Sequence, residues 1–193
     1  MTSREKILNA VCSNQPVLTP LPTLHSFAPY FGDLLEKFTE VLTSIGAEVV
    51  VVDGYETIID HVKKQFPGDV LFASTIPQLA VLAALKTDYT KPHDLENTEL
   101  AIVAAQFGVA ENGAVWLTEQ ELPERVLPFI PQHLAAVLRK ETLVATMHDA
   151  YRVIGDQQYG WGSFIAGPSK TADIEQSLVL GAHGPRTMTV FIL

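Results

Sequence analysis

Four consecutive valines, Val49 to Val52, constrain the architecture of this chain more than any other stretch. A β-branched run with no polar position reads as a strand buried on both faces, as a parallel strand covered by helices is. The flanking residues agree. Leu34, Leu35, Phe38, Val41, Leu42 and Ile45 recur at helical spacing up to Gly46, a residue type that ends helices. Ile58, Ile59, Val62 and Phe66 predict a second helix closing at Pro67, Asp69 to Ser74 a strand, and Pro77 to Leu85 another helix. This alternation belongs to an open layered α/β sheet flanked by helices, whose ligands bind beyond the carboxyl ends of the strands.

The middle of the chain interrupts the alternation. In LAIVAAQFGVAENGAVWLTE, Leu100 to Glu119, the pair Asn112-Gly113 between two apolar runs predicts an inserted β-hairpin, which makes the sheet mixed. Beyond it, Leu134 to Leu138 reads as a buried strand, Thr142 to Ile154 as a helix, Ser163 to Ala166 as a strand and Thr187 to Leu193 as the last strand. At the start, Thr2 and Glu5 have capping-box spacing before Ile7, Leu8 and Val11, predicting a short amphipathic helix. Pro16, Pro20, Pro22 and Pro29 then forbid regular structure. The expected division is a helix and proline-rich arm over 1–30 and a single α/β domain over 31–193.

Composition narrows the classes of function. A chain of 193 residues can bury one good core, and its net charge of -9 repels phosphate polymers and anionic membranes. Neither nucleic-acid binding nor membrane insertion is expected. The one cysteine, Cys12, excludes an internal disulfide and any iron–sulfur cluster held by this chain's own cysteines, which suits a soluble cytoplasmic protein. His25, His61, His93 and His148 show no metal-ligand spacing, and no GxGxxG, P-loop or GxSxG pattern is present, so neither a metal nor a conventional dinucleotide is expected.

Chemistry is best sought where strands meet turns. After the predicted strand at Ser163, Gly167-Pro168-Ser169 turns into a helical pattern in which Asp173 falls in the first turn. The helix amino terminus, with the hydroxyls of Ser169 and Thr171 and the charge of Lys170, suits a carboxylate or phosphate; the alternative is an ordinary helix cap. Gly181-Ala182-His183-Gly184-Pro185 turns into the last strand, where His183 offers an acid-base group or a solvent-facing histidine. Glu111 beside the hairpin turn reads as a nucleophile, a base or plain turn polarity. His133 enters an apolar strand as a base or an edge histidine.

The segment GPSKTADIEQSLVLGAHGP, Gly167 to Pro185, resembles the LUD domain family, the lactate-utilisation proteins of LutC/YkgG type. GVAENGAVWL, Gly108 to Leu117, is similar to the AxAExGTLVL hairpin of that family, and IPQHLAAVL, Ile130 to Leu138, to its PxHI-containing strand. Gln106 stands where the family commonly carries an acid, and Asn112 and Ala114 stand where it has threonines. The resemblance implies a NagB/RpiA/CoA-transferase-like fold and a part in oxidising L-lactate to pyruvate beside iron–sulfur partner subunits, with no cofactor in this chain. It points to Glu111, His133, Asp173 and His183 as catalytic candidates, and to Gly167, Ser169, Lys170, Thr171 and Gly184 as binding a small carboxylate. Two rivals stay open: a stand-alone acyl-CoA or phosphosugar-type enzyme using Glu111, and a non-catalytic assembly protein docked through the proline-rich arm. Homo-oligomerisation is also left open.

Overall fold

Asp33 starts a helix, because its carboxylate accepts hydrogen bonds from the amides of Leu35 (2.7 Å) and Glu36 (3.3 Å). The computed structural model describes residues 1–20, 31–68, 70–82, 92–122, 124–171 and 179–193. Within them run α1 (Ser3–Ser13), α2 (Leu34–Ser44), β1 (Glu48–Val51), α3 (Tyr55–Gln65), β2 (Phe72–Ser74), β3 (Leu100–Ala104), β4 (Phe107–Val109) and β5 (Ala114–Thr118). They are followed by β6 (His133–Leu138), β7 (Leu143–Val144), α4 (Met147–Ile154), β8 (Gly162–Ile165) and β9 (Thr187–Ile192).

The first sheet has five strands in the order β1-β9-β6-β3-β2, and every pairing in it is parallel. Side chains alternate across each strand, so its two faces collect different partners. Leu100, Ile102, Ala135, Val137 and Phe191 meet Ile58 and Val62 of α3 on one face. Ala136, Leu138, Val190 and Ile192 meet Phe38 and Leu42 of α2 on the other. Each fully buried Val, Leu, Ile or Phe side chain among them stabilises the fold by about 1.5–3 kcal/mol relative to exposure.

A second sheet, β7-β4-β5-β8, packs against that other face. Val115 joins the α2 cluster and Leu117 packs with Ala101 and Val103, while Phe107, Val109 and Trp116 on its outer side are covered by Ala150 and Ile154 of α4. The α/β reading, with helices flanking a parallel sheet, therefore holds. The hairpin of β4 and β5 is present too, although it joins this separate mixed sheet. Its turn needs Gly113, which has φ +70 and lies against Leu42 of α2.

Three local expectations differ from the structure. The valine run is a parallel strand, yet β1 is an edge strand and Val51 is 63% exposed, because no strand continues the sheet beyond it among the described residues. The helix expected from Thr142 begins instead at Met147. Leu143 and Val144 are taken up by pairing with β4, and Thr146 and Asp149 form a reciprocal capping box that starts the helix after them. The helix expected over Pro77 to Leu85 is a 3-10 turn at Pro77–Leu79 within the described residues. At the chain start the capping box of Thr2 and Glu5 forms as expected, and α1 buries none of its side chains. Pro22 and Pro29 lie outside the described residues.

Candidate functional site

Because all five strands of the first sheet are parallel, their carboxyl ends share one edge and their amino ends the other. The chain leaves β3 at the carboxyl edge, turns at Ala105 and Gln106, and descends through β4 to the hairpin tip. Glu111 sits at that tip, toward the amino edge. Its amide donates to the Ala145 carbonyl (3.0 Å) and its carboxylate accepts from the Met147 amide (2.8 Å). The carboxylate thus complements the amino terminus of α4.

His133, first residue of β6, is also at the amino edge but on the other side of the parallel sheet. It shares the α3 face with Ala135 and Val137, and its ring meets Phe66 with centroids 5.0 Å apart. Its Nδ1 lies 2.6 Å from Thr187 Oγ1 and its Nε2 3.4 Å from Glu99 Oε1. The parallel sheet therefore separates His133 from Glu111, and the two do not share a pocket.

The motif from Gly167 to Pro185 is folded back on itself. Lys170 bridges Leu180 antiparallel, the Ser169 amide donates to the Pro185 carbonyl (2.8 Å), and the Thr171 amide donates to the Val179 carbonyl (3.1 Å). Thr171 Oγ1 accepts from the Val179 amide (3.2 Å). The amides of Ser169 and Thr171, which a helix terminus would offer to an anion, are thus already engaged. Gly184 lies close against Ser169, where a Cβ would come within 3.2 Å of the serine Cβ. Gly167 has φ +73 and abuts Ile45 at the end of α2. The Arg186 amide donates to the Gln132 carbonyl (2.7 Å) and ties the motif to the entrance of β6. Ser169, Thr171, Gly167 and Gly184 are therefore brought together, with Lys170 and His183 exposed. Asp173 and residues 172–178, the greater part of the expected helix, lie outside the described residues.

The opposite, carboxyl edge carries an open cleft of about 480 Å³, lined among others by Tyr55, Thr75, Gln106, Glu121 and Arg139. Sheet register explains the grouping. Ala104 pairs with Val137, so Gln106 and Arg139 each stand two residues past a bonded pair on neighbouring strands, while Thr75 follows β2 directly. Arg139 forms no ion pair among the described residues. Thr75 Oγ1 is buried with no hydrogen-bond partner, an unmet polar group at the cleft wall.

Glu121 is anchored. Its carboxylate accepts from the Thr118 hydroxyl (2.7 Å), the Thr118 amide (3.2 Å) and Gln106 Nε2 (3.0 Å). Of these cleft residues, Gln106 falls within the hairpin stretch singled out in the sequence, while Tyr55, Thr75, Glu121 and Arg139 belong to none of its motifs. The available signal was positional: Thr75, Gln106 and Arg139 are polar residues at the carboxyl ends of strands or just past them, where α/β sheets bind ligands. Among the described residues, no group of three or more His, Cys, Asp or Glu is placed to hold a metal, and no helix is long and apolar enough to cross a membrane.

Comparisons with known proteins agree with the fold. Lactate utilization protein C of Halalkalibacterium halodurans is 28% identical over 180 residues, covering 83% of this chain and 77% of that protein. The protein of the same name from Shouchella clausii is 41% identical over 100 residues, 47% of this chain and 43% of the relative. That from Bacillus pumilus is 28% identical over 154 residues, 75% of this chain and 62% of the relative. The chain thus spans less than two thirds of the last two relatives. A crystal structure of a DUF162 family protein from Deinococcus radiodurans superposes with a TM-score of 0.59 at 17% identity, covering 82% of this chain and 95% of that one, which shows a shared fold. The LUD domain matches residues 35–193, and the chain belongs to the LUD domain family.

Proposed function

We propose that this chain serves lactate utilisation as a ligand-binding subunit that holds a small carboxylate, lactate or pyruvate, in the cleft at the carboxyl edge of the parallel sheet. One observation carries the reading: Arg139 lines that cleft with no acidic partner among the described residues, on a chain whose net charge is -9. An unpaired guanidinium matches a carboxylate bidentately. The relatives named lactate utilization protein C make lactate and pyruvate the acids to test. Oxidation of L-lactate to pyruvate is then a property of the larger system, with iron–sulfur partner proteins carrying electrons, because Cys12 is this chain's one cysteine.

Isothermal titration of the full chain with L-lactate and pyruvate tests the reading. Arg139→Gln is expected to weaken binding of both acids about tenfold or more, the loss of a charge-assisted hydrogen bond. Lys170→Gln, at the amino edge, leaves binding unchanged. Absence of binding to the wild-type chain, or a loss confined to Lys170→Gln, would refute the cleft as the acid site.

A further inference from the structure

The cleft also carries information about the second functional group of its ligand. The Thr118 hydroxyl donates its one proton to Glu121 Oε2 at 2.7 Å, so toward Gln106 it can only accept. The Glu121 carboxylate likewise only accepts. Both groups lie within bonding distance of the same amide atom of Gln106, at 3.2 Å and 3.0 Å. That atom must be the nitrogen, since an amide oxygen there would face two acceptors. The orientation of Gln106 is thus set by its neighbours, and both of its N–H groups are used. Its Oε1 has no donor among the described residues, on a side chain that lines the cleft.

We infer that Gln106 is a specificity-determining residue: its Oε1 accepts a hydrogen bond from the hydroxyl of a bound 2-hydroxy acid, whose carboxylate is held by Arg139. This rests on the cleft being the acid site. A 2-hydroxy acid supplies the O–H donor that a fixed acceptor requires. A 2-oxo acid puts a carbonyl oxygen in its place, acceptor against acceptor, and a site built to bond a hydroxyl rejects such an analogue. The Thr75 hydroxyl, buried and unpartnered, adds a polar contact at the same wall.

The test is a comparison of L-lactate, pyruvate and propionate by titration calorimetry on the wild-type chain, Gln106→Met and Thr118→Val. The wild type is expected to prefer lactate over both other acids by about tenfold. Gln106→Met brings the three within about twofold of one another, the loss of one oriented polar contact. Thr118→Val keeps the amide but removes one of its two anchors, and reduces the preference without abolishing it. The ratio of affinities does not depend on the folded fraction, so a destabilised variant still reports. Equal affinities in the wild type, or a lactate preference that survives Gln106→Met, would overturn the role of Gln106 while leaving acid binding intact. No binding of any acid to the wild type would overturn the cleft assignment itself.

Discussion

Replacing Gly113 by alanine should cost about 2–4 kcal/mol of folding stability, and the contributions can be separated. Gly113 ends the β4–β5 turn at φ +70, a conformation that penalises a side-chain-bearing residue by roughly 1 kcal/mol. The second contribution is steric. A Cβ at this position would lie 2.9 Å from Leu42 Cγ and 3.3 Å from the Leu42 backbone nitrogen. Leu42 is fully buried in the cluster that joins α2 to both sheets, so helix and hairpin must move apart together. Overpacking of this kind costs about 1–3 kcal/mol. Gly32 supplies the control, since it has φ +68 but no atom of the described residues within 4 Å of its added Cβ. Urea denaturation of Gly113→Ala and Gly32→Ala should show a loss of about 1 kcal/mol for Gly32→Ala and at least twice that for Gly113→Ala. Equal losses would show that α2 does not pack on the hairpin turn as described.

The start of α4 offers a second test. Thr146→Ala removes the buried capping hydroxyl and should lower stability by about 1–2 kcal/mol in the same assay, while Thr146→Ser keeps most of it; no loss in the alanine variant would contradict the capping box. Acid sensitivity offers a third. The Thr146 hydroxyl and amide, with Arg152 beside them, hold the Asp149 carboxyl below its ordinary value of 3.8, and the amides of Glu36 and Leu35 lower that of Asp33. Groups with depressed native values stabilise the fold fully above their unfolded values, and that stabilisation is lost as pH falls through the native ones. The urea midpoint should therefore fall between about pH 5 and pH 2.5, and Asp149→Asn should show a shallower fall. An unchanged slope would reject the contribution of Asp149.

The parts of the fold that were legible in sequence are those with a local cause. Asn112-Gly113 marked the hairpin because a tight turn needs a residue tolerant of positive φ, and Phe38 and Leu42 marked the buried stripe of α2 by spacing alone. The edge position of β1 was not legible. Val49 to Val52 would look the same in a central strand, and only the long-range order β1-β9-β6-β3-β2 makes β1 an edge. The proposed site was less legible. The motif from Gly167 to Pro185 identifies the family, yet its described backbone groups are spent on pairing with one another and with Gln132. The cleft residues Tyr55, Thr75, Gln106, Glu121 and Arg139, by contrast, follow five different strands, so no short window of sequence contains them. Gln106 was visible only as a departure from the family pattern, and its orienting partners, Thr118 and Glu121, lie 12 and 15 residues further along.

Glu111 and His133 illustrate the same limit from the other direction. Each is a residue type suited to catalysis at a strand or turn boundary, and each has a structural partner that its local sequence does not reveal: the Met147 amide for Glu111, and Thr187 with Phe66 for His133. What decides between scaffold and site is which edge of the parallel sheet receives the ligand. Backbone amide chemical shifts of the labelled full chain, recorded during titration with L-lactate, answer this most directly. Binding at the carboxyl edge gives shifts that saturate together at Thr75, Gln106, Leu138 and Arg139. Saturable shifts confined to Ser169, Lys170, Thr171 and His183, or none at all, would contradict it.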